Sequence, residues 1–198
     1  MPMRVAVCIS GRGSNLRALL EALGPDAPAQ VVLVLSNSAK AGGLELARSH
    51  GIPAIVLADF RSGSEMLGWL EQNRVDLVVL AGYLKMIPPE VVARYRGRII
   101  NIHPALLPAF GGPGMYGGRV HQAVLDAGAA ESGATVHLVD EEYDRGEILA
   151  QDRVPVLSGD TADSLARRVL EVEHRLLPAV VLAAARAGRP VPLNQPAE

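Results

Sequence analysis

The sequence has little cysteine and no long apolar runs, and each shortage excludes a class of protein. Its 198 residues include one cysteine, Cys8, so no disulfide can form within the chain. The apolar stretch at 176–185 falls short of the roughly 18 residues that a membrane-spanning helix needs, and Arg186 follows it. The amino terminus shows no signal-peptide pattern. We therefore expect a cytoplasmic protein without a membrane partner.

Aromatic residues are also scarce, and acidic and basic residues nearly balance. Aromatic residues make up 4% of the chain, the net charge is −2, and only two residues are lysine. Nucleic-acid-binding surfaces are usually basic stripes, so we expect no nucleic-acid partner. His103, His121 and His137 lack the close paired spacing of metal ligands, and we expect no metal.

A regular alternation of apolar runs and amphipathic segments extends over most of the sequence. Apolar runs at 3–9, 31–36 and 76–81 are each followed by a segment with helical spacing. Near-continuous apolar runs are typical of strands that are buried on both faces of a parallel sheet. The alternation therefore predicts an α/β fold with a doubly wound, mostly parallel central sheet and helices on both faces.

The last third of the chain continues the pattern. Residues 133–139 and 148–156 have strand character, and a long amphipathic helix begins after a cap at Asp160 or Thr161. Its predicted core stripe consists of Leu165, Val169, Val172 and Leu176. We expect a single domain over 1–187, followed by a proline-rich tail at 188–198.

A glycine-containing loop, Ser10-Gly11-Arg12-Gly13-Ser14-Asn15, lies between the first strand and the first helix. Backbone N–H groups and the positive end of a helix dipole can bind an anion there. Leu16 stands where a dinucleotide fingerprint needs its third glycine, and the second strand ends without an acidic residue. A single phosphate on a small molecule is the remaining ligand class. The alternative is a plain turn with serine or asparagine as the helix cap.

A second polar pair lies at the end of a predicted strand. Residues two apart in a strand point to the same side, so Asn101 and His103 project together while Ile100 and Ile102 face a core. Pro104 ends the strand. Ligands bind at the carboxyl ends of strands in open α/β sheets, where a carboxamide can stabilise an oxyanion and an imidazole can transfer a proton.

An acidic turn at 140–146 offers a carboxylate to orient such a histidine. Asp144, close to Gly146, is a good candidate, but spacing alone leaves Asp140, Glu141 and Glu142 open. The loop at 104–118 is long and rich in glycine, which is typical of a functional or mobile segment.

Five segments, in this order, resemble the phosphoribosylglycinamide formyltransferase family of purine biosynthesis. They are Ile9-Ser-Gly-Arg-Gly-Ser-Asn-Leu16, Val79-Leu-Ala-Gly-Tyr-Leu-Lys-Met86, Asn101-Ile-His-Pro-Ala-Leu-Leu-Pro108, Gly133-Ala-Thr-Val-His137 and Asp144-Arg-Gly146. The resemblance covers nearly the whole chain. It implies the formyltransferase fold and an enzyme that moves a formyl group from the co-substrate 10-formyltetrahydrofolate to the amine of phosphoribosylglycinamide.

The resemblance also implies site residues. The expected catalytic residues are Asn101, His103 and Asp144, with Asp144 favouring the charged form of His103. The expected substrate-binding residues are Gly13, Ser14, Asn15 and Glu173. The expected folate-binding residues are Leu84, Lys85, Met86, Ile87, Asn101 and Arg61.

Some expectations stay open. The loop at 110–118 is longer than is usual in the family and the segment around Arg61 is shorter, so loop contacts and a folate contact of Arg61 are undecided. His137 is either a supporting residue of the site or a buried sheet histidine, and His121 and His174 have no assigned role. A monomer and a homodimer both fit.

Three other functions remain as alternatives. A formyltetrahydrofolate hydrolase would pass the formyl group to water, and that family has an additional amino-terminal domain. A methionyl-tRNA formyltransferase would need an RNA-binding domain. A non-catalytic phosphate- or folate-binding module would bind ligand without transferring the formyl group.

Overall fold

The fold is built on one seven-stranded sheet, and two of the predicted site residues, Asn101 and His103, lie at the end of one of its strands. We describe residues 1–193 from a computed structural model. The strands are β1 (Met3–Ile9), β2 (Ala29–Ser36), β3 (Ala54–Val56), β4 (Leu77–Leu80), β5 (Ile99–His103), β6 (Glu131–Leu138) and β7 (Ile148–Pro155). The helices are α1 (Ser14–Ala22), α2 (Gly43–Ser49), α3 (Gly63–Gln72), α4 (Pro89–Arg94), α5 (Gly118–Asp126) and α6 (Ala162–Ala187).

The sheet order is β3-β2-β1-β4-β5-β6-β7. The first five strands in that order pair in parallel, whereas β6 runs antiparallel to β5 and β7 runs antiparallel to β6. The chain moves outward from β1 in one direction and then, from β4, in the other, so the strand order reverses between β1 and β4. A crevice forms outside the carboxyl ends of strands at such a reversal.

Apolar side chains cover the sheet on both faces, as the near-continuous apolar runs predict. On one face, Val5, Val7 and Ile9 of β1 pack with residues of α1, α2, α5 and α6. On the other face, Ala6 and Cys8 pack with residues of α3 and α4. The predicted doubly wound, mostly parallel sheet with helices on both faces is confirmed.

The last helix, α6, is 26 residues long and begins at a capping box between Thr161 and Ser164. Its core stripe includes Leu165, Val169 and Val172 as predicted, but it continues through the fully buried Leu177, whereas Leu176 is only partly buried. The stripe moves around the helix because an α-helix has 3.6 residues per turn, whereas alternating spacings of three and four residues average 3.5.

The helix ends at Gly188, whose φ of 74° is left-handed. Beyond it, the N–H of Leu193 donates a hydrogen bond to the carbonyl of Leu149. Residues 194–198 of the predicted tail lie outside the described part of the chain. Within residues 1–193, no helix is both long and apolar enough to cross a membrane.

Candidate active site

A cleft of about 880 Å³ opens where the sheet order reverses. Its walls are the loop after β1, the segment after β4, the end of β5, the loop before α5, the turn after β6 and one side of α6. This volume lies within the range of small-molecule sites, about 300 to 1,000 Å³. The topology therefore puts the two polar motifs of the sequence into one cavity.

The loop after β1 lines the cleft in part with the backbone of its glycine residues. Gly13 is the cap of α1, with a left-handed φ of 80° and no side-chain cap bond, so the alternative of a serine or asparagine cap is wrong. A Cβ at Gly13 would lie 2.7 Å from the Cα of Gly43. The hydroxyl of Ser10 accepts a hydrogen bond from the N–H of Leu84 at 2.8 Å, which ties this loop to the segment after β4.

Two predicted substrate-binding residues, Asn15 and Glu173, meet across the interface of α1 and α6. The Nδ2 of Asn15 donates a hydrogen bond of 2.7 Å to Oε2 of Glu173, and both residues line the cleft. Burial raises the pKa of Glu173 to about 7, against the opposing effect of the hydrogen bond from Asn15.

His103 is almost fully buried at the end of β5, and both of its ring nitrogens face an acceptor. Its Nε2 lies 2.8 Å from the carbonyl oxygen of Phe110, and its Nδ1 lies 3.7 Å from Oδ2 of Asp144. Burial lowers the pKa of His103, although the charge of Asp144 and the bond to Phe110 oppose it. Asp144 thus favours the charged form of His103, as expected, but desolvation is the larger effect and the net direction of the pKa shift is downward.

Asn101 projects into the same group of side chains. Its Nδ2 lies 3.1 Å from Nε2 of His137 and 3.5 Å from Oδ1 of Asp144. The Nδ1 of His137 lies 2.7 Å from the carbonyl oxygen of Leu138, and its Nε2 lies 3.5 Å from Oδ1 of Asp144. His137 therefore contacts both Asn101 and Asp144.

Asp144 is the centre of this group because it contacts all the other members. Burial opposes its ionisation, but His137, His103 and the N–H of Gly112 outweigh burial and hold the pKa of Asp144 below its ordinary value. The N–H of Gly112 donates to Oδ2 of Asp144 at 2.9 Å.

The turn that carries Asp144 is closely constrained. Asp144 has a left-handed φ of 54°. A Cβ at Gly146 would lie 1.8 Å from the carbonyl oxygen of Leu138, so only glycine fits this close approach. The turn sequence thereby fixes where the carboxylate points.

The segment after β4 gives the cleft an apolar wall. Leu84 and Met86 line it and are 50% and 53% exposed, whereas Ile87 is buried. The ammonium group of Lys85 lies 5.2 Å from the centroid of the Phe60 ring. Arg61 contacts the same ring at 5.4 Å, but it is not among the described residues that line the cleft.

The lining also includes Arg12, Arg167 and His121, to which the sequence analysis assigned no role in the site. Arg12 lies within the predicted phosphate loop, so its position was a usable signal. Arg167 and His121 are on α6 and α5, and nothing in their spacing distinguishes them from surface residues. His174 lies outside the cleft, in a shallow pocket with Glu21. Within residues 1–193, no cluster of three or more His, Cys, Asp or Glu side chains could hold a metal.

The chain is similar to known proteins over most of its length. The model of the formyl transferase family matches residues 3–181. The phosphoribosylglycinamide formyltransferase of Haemophilus influenzae is 40% identical over 185 residues, covering 90% of this chain and 85% of that protein. The chloroplastic phosphoribosylglycinamide formyltransferase of Arabidopsis thaliana is 50% identical over 186 residues, covering 90% of this chain. The present chain spans only 64% of that plant protein.

Solved structures of phosphoribosylglycinamide formyltransferases are also similar to this chain. The phosphoribosylglycinamide formyltransferase of Anaplasma phagocytophilum has a TM-score of 0.89 and 38% identity, over 100% of this chain and 96% of that one. The enzyme of the same name from Brucella melitensis has a TM-score of 0.85 and 45% identity, over 93% and 96% of the two chains. The chain belongs to the formyl transferase family and, within it, to the phosphoribosylglycinamide formyltransferases.

Proposed function

We propose that this chain transfers the formyl group of 10-formyltetrahydrofolate to the amine of phosphoribosylglycinamide, a step of purine biosynthesis. The observation that carries the proposal is the convergence of Asn101, His103 and Asp144 at one strand end, with the carboxylate 3.7 Å from the imidazole. An oxyanion donor, a proton carrier and an orienting acid are the groups that acyl transfer requires.

The phosphate of the substrate would bind at the loop after β1. The first turn of α1 directs backbone N–H groups outward from Gly13, Ser14 and Asn15, and the helix dipole favours an anion there. Arg12 and Arg167 line the same cleft and add positive charge. This arrangement supports a phosphorylated substrate with its reactive amine farther along the cleft.

The folate would bind against the segment after β4. The exposed side chains of Leu84 and Met86 offer apolar contact to a ring system, and the turn at 140–144 lines the same cleft. Lys85 adds a positive charge on this segment. The residues proposed to bind the two substrates all lie within 1–187, which we propose as the single formyltransferase domain.

The proposed reaction begins when the neutral amine attacks the formyl carbon and forms a new C–N bond. The electron pair of the carbonyl moves to oxygen, and Nδ2 of Asn101 donates to the resulting oxyanion. The nitrogen that attacked then loses a proton, and the folate nitrogen gains one as its C–N bond breaks. His103 carries this proton, so no net proton is consumed.

The pKa direction of His103 suits this role. Burial holds the pKa below its ordinary value, so the imidazole starts mainly neutral and can accept the proton of the amine. Asp144 then stabilises the imidazolium until it donates to the leaving nitrogen. The carbonyl of Phe110, 2.8 Å from Nε2, has to give way before that atom can contact a ligand.

The test is to follow folate absorbance with the purified chain, with phosphoribosylglycinamide present or absent. Loss of the formyl group only in its presence supports the transferase. Loss in its absence would instead indicate a hydrolase, and no loss under either condition a binding module. His103→Ala should lower the rate by at least about 100-fold, whereas His50→Ala, at an exposed helix end, should leave it unchanged. Near-normal turnover of His103→Ala would contradict the proposed chemistry.

A further inference from the structure

Asn15 was expected to bind the phosphate, but its side chain is engaged elsewhere. Its Nδ2 donates to Glu173, across 158 residues of sequence. Its Oδ1 is buried and has no hydrogen-bond partner among the described residues. An ionised phosphate offers only acceptors, so Oδ1 has nothing to accept from it, and one of the two N–H groups of Nδ2 is committed to Glu173.

The Glu173 carboxyl group depends on this contact. Glu173 is 7% exposed, and Asn15 is its only side-chain hydrogen-bond partner that the described residues provide. A buried carboxylate without a donor is strongly disfavoured. The hydrogen bond fixes the direction of the carboxylate as well as supporting its charge.

The charged groups that line the cleft do not replace Asn15 in this role. Arg12 lies in the phosphate loop, and Arg167 and Asp163 lie on α6 with Glu173. Only burial and the hydrogen bond from Asn15 shift the pKa of Glu173, in opposite directions. The carboxamide is thus the group that the carboxylate depends on for its charged form.

We propose that Asn15 is a positioning residue that acts through Glu173. The N–H of its side-chain amide fixes the direction of the carboxylate of Glu173, which lines the cleft where the substrate would bind. This inference rests on the proposed function, because it takes phosphoribosylglycinamide as the ligand.

A double-mutant cycle on substrate binding tests the proposal. The ligand is phosphoribosylglycinamide without folate, and the measurement is its Kd by titration calorimetry at pH 8. Asn15→Ala should weaken binding about 10- to 100-fold, the usual loss for a hydrogen bond to a charged group. In a Glu173→Ala background the same change should have an effect about 5- to 20-fold smaller, because the group it orients is gone.

The pH dependence of Kd separates positioning from a purely structural role. Loss of the donor disfavours the charged carboxylate, so the pKa of Glu173 should rise above its value of about 7. Binding that needs the carboxylate should then weaken at a higher pH in Asn15→Ala than in the unmodified protein. Asn15→Asp keeps the shape of the side chain but adds a like charge. The pH at which binding begins to weaken should therefore rise farther in Asn15→Asp. The phosphate titrates near pH 6 in every variant and gives a common reference.

Two controls test whether a change in Kd is specific to Asn15. Glu21→Gln changes an exposed carboxylate on the same helix outside the cleft, and it should leave Kd unchanged. Thermal unfolding of each variant shows whether the fold is intact. The proposal would be overturned if Asn15→Ala weakened binding equally in both backgrounds and did not shift the pH at which binding weakens. An unmodified protein that fails to transfer the formyl group would instead refute the proposed function and leave the cycle as a separate result.

Discussion

The substitution Asp144→Asn tests the most important contact of the site with little change in shape. Asparagine tolerates the left-handed φ of 54° at this position, and its carbonyl can still accept from the N–H of Gly112. What it removes is the negative charge beside His103. The fold and the turn should therefore persist, which makes the kinetic effect a measure of the charge.

The magnitude follows from the distance. Unit charges at the 3.7 Å that separates Nδ1 of His103 from Oδ2 of Asp144 attract by about 4.5 kcal/mol at an effective dielectric constant of about 20. That energy corresponds to about 2,000-fold in rate. Because the carboxamide dipole retains part of the interaction, we expect kcat to fall about 100- to 1,000-fold.

The pH profile should change in a definite direction. The carboxylate of Asp144 opposes the effect of burial on His103, so its removal lowers the pKa of His103 further. The neutral imidazole accepts the proton of the amine and is lost as pH falls through its pKa, so the acidic fall in kcat should begin at a lower pH in Asp144→Asn.

The assay is steady-state formyl transfer from pH 5 to 9, with Glu147→Gln as the control. Glu147 is an exposed carboxylate in the same turn region that does not line the cleft, and its replacement should leave kcat within about twofold. An Asp144→Asn variant that keeps more than a third of the normal kcat would refute the reasoning, because the imidazolium would then not need the carboxylate.

Two further substitutions test the geometry. Asn101→Ala removes the expected oxyanion donor and should lower kcat about 100- to 1,000-fold with little change in unfolding temperature; a loss confined to KM would contradict that role. Gly146→Ala places a Cβ 1.8 Å from the carbonyl oxygen of Leu138, so urea unfolding should show about 1–3 kcal/mol of destabilisation, together with loss of activity. Gly68→Ala, with nothing within 4 Å, should be neutral or stabilising; equal effects of the two glycine changes would exclude the steric explanation.

The sequence pattern was sufficient to predict the fold class and the main polar pair. Alternation in β5 puts Ile100 and Ile102 in a core and leaves Asn101 and His103 free for the cleft. The apolar runs predicted the buried parallel strands because both faces of the sheet need cover. These features depend on local periodicity, which a single sequence contains.

The contacts between distant segments could not be predicted from spacing. Several acidic residues of the turn were equivalent in sequence, and only the folded chain shows the close approach of Gly146 to Leu138 and the contact of Asp144 with His103. Local chemistry was also misleading at the phosphate loop. Serine and asparagine are common helix caps, but Gly13 caps α1 and leaves Asn15 free to reach Glu173.

The pairing of α1 with α6 has a consequence for biosynthesis. The partner of Asn15 is 158 residues farther along the chain, and a ribosome adds about 5 to 20 residues per second. A nascent chain would therefore carry its phosphate loop for about 10 to 30 s before the other half of that binding region is translated. During this interval the apolar side of α1 lacks its helical cover, so capture by a chaperone should be strongest before α6 leaves the exit tunnel.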